Sequence, residues 1–114
     1  MPRLTKEQIL KNSNLRTKLI DMNSEGFGDI EIREMNIAEQ MEFDKFLDSK
    51  PDNKDIAFHV ILKCCINEDG SKMFNEDDVE FLKQKSSASV LRLFNEILDI
   101  NNQKSTSLEE LEKN

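Results

Sequence analysis

The sequence predicts an α+β fold, mostly helical, with one β-hairpin at about residues 15–35 and four to five short helices in a single globular domain spanning 1–101. Three observations carry that expectation. Residues 29–35, Asp-Ile-Glu-Ile-Arg-Glu-Met, alternate apolar and polar behind a turn containing Gly26 and Gly28, which is the period of a strand with one wet face. Capping signals recur, a polar residue followed three positions later by a partner that can reach back: Thr5 with Gln8, Asn36 with Glu39, Asn75 with Asp78. Residues 54–66 are apolar around most of a helical wheel, as a central helix must be.

Thr5 opens a short helix that carries Ile9 and Leu10 and ends by Asn14. Residues 15–23 form the first strand, Ser24 to Gly28 the turn, and the second strand places Ile30 and Ile32 on one face with Glu31 and Arg33 on the other. Asn36 caps the next helix, which runs to about Ser49. Its apolar residues scatter: Ile37 and Met41 share one side, Phe43 and Leu47 another, and Phe46 lies further round. Such a helix either touches several neighbours or leaves apolar surface open. Lys50-Pro51-Asp52-Asn53 breaks it. In the central helix, Lys54 to Ile66, only Asp55, His59 and Lys63 share a polar strip, so His59 is expected on its wet edge.

Residues 67–74 read as a turn-rich loop, and Asn75 caps a helix through Lys85 with Glu76, Asp77 and Asp78 at its positive end and Val79 and Leu82 facing inward. After Ser86-Ser87 the last helix runs from Ala88 to about Asn101. Its apolar arc of Val90, Leu91, Phe94, Ile97 and Leu98, flanked by Leu93 and Ile100, covers about half the circumference. That is wider than the ~100° stripe one packing face needs. Residues 102–114 read as a polar, flexible tail.

Composition narrows the class. The 114 residues hold 23 acids and 16 bases for a net charge of -7, with no Trp or Tyr and seven Phe, so the core is aliphatic with phenyl rings. An acidic chain is a poor nucleic-acid binder, because affinity for phosphate backbones comes from Lys and Arg. No apolar run approaches the ~20 residues of a membrane span, and no signal peptide is expected after Met1-Pro2-Arg3. The adjacent Cys64 and Cys65 are ill placed for a structural disulfide and suit a reducing cytoplasm. The charge is uneven. Residues 1–20 hold five bases and one acid, residues 21–80 hold six and seventeen, and residues 81–114 hold five of each. A basic start leading an acidic middle is compatible with head-to-tail contact between copies or with steering toward a basic partner.

Motifs for chemistry are sparse. Asn67, Asp69, Gly70 and Glu76 match positions 3, 5, 6 and 12 of an EF-hand loop, but Cys65 would stand at position 1, where an oxygen ligand is required. A turn ahead of a helix cap explains the same residues. Adjacent cysteines with one His do not make a zinc site, and no hydrolase, Walker-type or dinucleotide fingerprint occurs. Cys64 and Cys65 read as buried packing. No catalytic residue, metal or cofactor is expected.

Taken in order, the hairpin ending in Ile30-Glu31-Ile32-Arg33-Glu34-Met35, a helix, the apolar helix, Asn67-Glu68-Asp69-Gly70-Ser71-Lys72-Met73-Phe74, the start Asn75-Glu76-Asp77-Asp78, Leu82, and Val90-Leu91-Arg92-Leu93-Phe94-Asn95-Glu96-Ile97-Leu98 resemble a known pattern. Over about residues 15–114 the chain resembles the small tail assembly chaperones of long-tailed bacteriophages and prophages. The resemblance implies a non-enzymatic protein of the bacterial host cytoplasm that binds the long, helical, aggregation-prone tape measure protein. It further implies help to the major tail tube protein during tail morphogenesis, self-association, and absence from the finished virion. The two apolar surpluses noted above would then be client-binding: Phe43, Phe46 and Leu47 on one helix, Leu93 and Ile100 on the last. The family also makes a longer product by ribosomal frameshifting, and the codons for Glu112-Lys113-Asn114 permit a slippery A-AAA-AAY. The competing reading is a small acidic regulatory module that binds a basic host protein.

Overall fold

The structure, a computed structural model, describes residues 3–12 and 14–102. Along the chain lie α1 (Lys6–Lys11), β1 (Thr17–Met22), β2 (Gly28–Arg33), α2 (Ile37–Asp48), α3 (Asn53–Cys64), β3 (Cys65–Ile66), α4 (Val79–Leu82) and α5 (Ser87–Ile100), with single 3-10 turns at Asn23–Glu25 and Glu76–Asp78. The fold is α+β: a three-stranded antiparallel sheet in the order β1-β2-β3, and helices. The hairpin and the helical majority agree with the sequence reading. The predicted tail, beyond Asn102, lies outside the described residues.

Local signals set the element boundaries. Capping boxes form at Thr5 with Gln8, at Asn36 with Glu39 and at Asn75 with Asp78, each side chain satisfying a backbone N–H that the first turn leaves free. Gly26 and Gly28 both take positive φ, 81° and 71°, where a Cβ would be strained, and so turn the hairpin. In register, Ile20 faces Ile30 and Lys18 faces Ile32. One face therefore buries Ile20, Met22, Ile30 and Ile32, while the other carries the exposed Leu19 and Asp21.

Two segments depart from the sequence reading. Cys65 and Ile66 do not continue the central helix. They pair with Ile32 and Glu31 as β3, and a bridge from Ile66 to Lys72 closes a small hairpin. The helix expected from Asn75 to Lys85 is a 3-10 turn followed by the four-residue α4.

Helix α5 is packed on more than one side. Val90, Leu93, Phe94, Ile97 and Leu98 join the buried sheet face and the α3 residues Ala57, Val60, Ile61 and Cys64 in one core. Its wide apolar arc is thus filled by this chain. Polar bonds then run along β1 in the opposite chain direction. Arg92 donates to Glu25 at 2.6 Å and to the Asp21 carbonyl at 3.1 Å, Lys18 pairs with Glu96 at 3.1 Å, and Arg16 donates to the Ile100 carbonyl at 2.9 Å. These bonds fix α5 against the hairpin. Cys64 and Cys65 are free thiols inside the core, and burial pushes them up to about 11 and about 12, so they stay protonated packing groups.

Candidate functional site

Of the five residues expected to bind a client, the structure leaves one exposed. Leu93 is 0% exposed and Phe43 3%; both belong to the core, which corrects their assignment. The physical reason is that α5 lies between the sheet and α3, so no side of its arc is left over for Leu93, and Phe43 is the residue that α2 inserts toward α3. Ile100 and Phe46 are half-buried against the same core. Leu47 alone is exposed, at 37%.

Phe46 is held by an arrangement the sequence did not disclose. The His59 ring stacks on Phe46 at 4.4 Å and 12°, and on Phe43 at 5.5 Å and 29°. His59 therefore joins α2 to α3, half-buried where the polar strip of α3 meets a cleft. Its Nε2 is buried and makes no hydrogen bond within the protein. Burial holds its pKa below the ordinary imidazole value; the Lys63 ammonium adds to this and Glu42 opposes it. A cleft of about 460 Å³ opens beside the stack, lined by Glu42, His59, Lys63, Lys72, Phe74 and Glu76. Its two lysines are engaged: Lys63 pairs with Glu42 at 2.8 Å and Lys72 approaches Glu39 at 3.7 Å.

The loop tested for calcium is occupied by its own turn. Asp69 accepts from the Ser71 backbone and hydroxyl, Asn67 donates to Ser71, and Gly70 takes the positive φ of 86° that closes the hairpin. No group of three or more His, Cys, Asp or Glu side chains among the described residues is arranged to hold a metal ion.

The surface best shaped to receive another chain lies around α4. Four residues are too few to bury two faces, and only Leu82 reaches the core. Its neighbour Phe81 stands 74% exposed. On one side of Leu82 a groove of about 400 Å³ is lined by Asp55, Ala57, Phe58, Lys85 and Val90. On the other, a groove of about 350 Å³ runs between Met73, Phe74, Asp78 and Phe81. Leu82 and Lys85 border both grooves. Lys85 is exposed but engaged: its Nζ lies 5.2 Å from the centre of the Phe27 ring and donates to the Gly26 carbonyl at 3.2 Å. The first groove also takes Asp52, Lys54, Lys83 and Ser87 into its lining, whereas the second is mainly apolar with one acid and one base at its rim, which suits an amphipathic helix better than a small polar substrate.

Sequence reasoning missed Phe81 as an exposed ring, and it placed Ile37 and Met41 on a side of α2 apart from Phe43 without assigning which side is buried. A helical wheel carries the missing signal: Asp44 and Asp48 fall on the Ile37–Met41 side, while Glu39, Phe43 and Phe46 fall opposite. Acids flanking an apolar pair mark the solvent side.

Compared with known protein families, with curated proteins and with solved structures, the chain matches none. No helix among the described residues is long and apolar enough to cross a membrane.

Proposed function

We propose that this chain is a tail assembly chaperone of a long-tailed phage or prophage, acting without catalysis in the bacterial cytoplasm. Its client is the tape measure protein, with the major tail tube protein as a second partner, and it leaves before the virion is complete. The observation that carries the reading is Phe81, an exposed ring that borders a groove with Met73, Phe74 and Leu82 in a protein of net charge -7. The groove would take the apolar stripe of a client helix, while the acidic surface keeps the complex soluble. The resemblance in the order of motifs supplies the identity of the client.

Co-expression with the neighbouring tape measure gene tests this. Wild type is expected to raise the soluble fraction of the client and to co-purify with it, and Phe81→Asp to lose both while remaining folded. No rescue by wild type would count decisively against the reading. A complex that forms but dissolves in moderate salt would favour the acidic regulatory module instead.

A further inference from the structure

Helix α1 buries none of its residues: Ile9 and Leu10 are exposed, Leu10 at 73%, as is Leu4 just ahead of its cap. Its local bonds are complete. The Thr5 hydroxyl accepts from the Gln8 backbone at 3.1 Å, the Gln8 side chain accepts from the Thr5 backbone at 2.8 Å, and Lys11 pairs with Glu7 at 3.0 Å. Leu4 and Ile9 also stand at the two positions of a hydrophobic staple. Such devices are not sufficient, because isolated helices shorter than about 12 residues are marginal in water. The sequence of α1 is written for a helix, and none of the other described residues buries it.

A matching surface exists on α2. At 100° per residue, Ile37, Met41, Asp44 and Asp48 fall within one narrow arc, opposite the buried Glu39 and Phe43. Ile37 is 81% exposed and Met41 66%. On α1, Lys6 lies between Ile9 and Leu10 on the wheel. One face thus offers two apolar side chains around a cation, and the other two apolar side chains followed along the same face by two acids, with the cation Lys45 only at its edge.

We infer that α1 of one copy docks on the exposed Ile37–Met41 face of α2 in a second copy, burying Ile9 and Leu10 against Ile37 and Met41 and setting Lys6 between Asp44 and Asp48. The charge pattern of the chain, basic in residues 1–20 and acidic in 21–80, gives the contact its polarity. A single contact of this size is small against the ~800 Å² per partner of a stable complex. Made reciprocally by two copies it is doubled, the second contact forming at high effective concentration, so a closed dimer is the expected product. The inference uses no property of the client and stands whether or not the chaperone reading does.

Sedimentation over a concentration series at low salt tests it. Wild type is expected to gain mass with concentration. Ile37→Asp and Leu10→Asp should each raise the half-association concentration about tenfold or more. Lys6→Glu should weaken association, and Lys6→Glu combined with Asp44→Lys should restore it, which a merely structural effect would not do. The contact itself is read by mixing a Leu10→Cys chain with a Met41→Cys chain under oxidation. A disulfide between the two chains is expected, since the native thiols at Cys64 and Cys65 are buried. The inference is overturned if wild type stays monomeric throughout, or if association ignores Ile37→Asp. It is equally overturned if the crosslink forms only within a single chain carrying both substitutions, or if Ile37→Asp abolishes client capture by a protein that was already monomeric.

Discussion

Arg33 and Glu39 form the ion pair on which the β2–α2 junction depends. The guanidinium meets the carboxylate on two edges, Nη1 to Oε1 at 2.7 Å and Nη2 to Oε2 at 2.9 Å, and the same carboxylate caps α2 by accepting from the Asn36 N–H at 3.1 Å. The Arg33 bond, with help from the Asn36 N–H, holds Glu39 down at about 2 against the opposing effect of burial. Unfolded, the same carboxyl titrates near 4.5. Its stabilisation is therefore complete above the unfolded value and is lost as pH falls from there toward about 2. The unfolding free energy of wild type should converge on that of Glu39→Gln over this window in urea titrations, and a gap that stays constant would remove the pair from the account. At neutral pH, Glu39→Ala strands a largely buried guanidinium and should cost about 3 kcal/mol. Packing makes a sharper contrast. Leu93→Ala should cost about 3 kcal/mol, as core truncations do, and Leu47→Ala no more than about 0.5 kcal/mol. The reverse order in denaturant melts would mean that the arc of α5 faces solvent.

Among the elements, those written in local chemistry were legible in the sequence and those made by distant pairing were not. All three capping boxes and the Gly-bearing hairpin turn depend on residues within a few positions of one another, and each forms as read. Cys65 and Ile66 become a strand because Ile32 and Glu31 lie beside them in space, and a short apolar run cannot announce which period it will adopt. The width of the α5 arc was correctly noticed and wrongly assigned. An arc serving two packing surfaces looks, in sequence, like an arc with one surface to spare. The candidate site fared likewise, since the exposure of Phe81 follows from α4 stopping at Leu82, three residues before the expected end. His59 shows the same limit: its polar strip on α3 is real, but Phe43 and Phe46 of α2 fold over it. That joint should respond to pH. The folded ring resists the proton that the unfolded ring accepts near 6.5, so stability from the neutral stack is full above that value and falls as pH drops below it. His59→Phe keeps a stacked ring without a titrating group. Its urea midpoint should overtake that of wild type between about pH 7 and pH 5, and parallel pH curves for the two proteins would refute the role.

For the whole molecule, the question is how an acidic chain can expose large apolar side chains without precipitating, and the two exposed sets answer it differently. Ile37 and Met41 share one face of α2 with Asp44 and Asp48, so whatever covers that face must bring positive charge, as α1 does with Lys6. Phe81 borders a groove with Met73, Phe74 and Leu82 whose one cation, Lys85, is already engaged, so whatever covers it needs shape and apolar area more than charge. Salt should therefore separate the two interactions. Exposed charge pairs are screened over a Debye length of about 10 Å at 0.1 M and about 3 Å at 1 M, whereas apolar burial is not weakened by salt. Raising sodium chloride from about 0.05 M to about 0.5 M should shift self-association toward monomer, a shift that Lys6→Glu with Asp44→Lys would share, because its reversed pair is screened alike. Over the same range the proposed complex with a tape measure protein should persist. Substitution should divide them in the same way: Phe81→Asp should abolish client binding and leave the sedimentation profile unchanged, and Ile37→Asp should do the converse. If both substitutions impair both interactions equally, the two surfaces work as one, and oligomer and client compete for or share a single face.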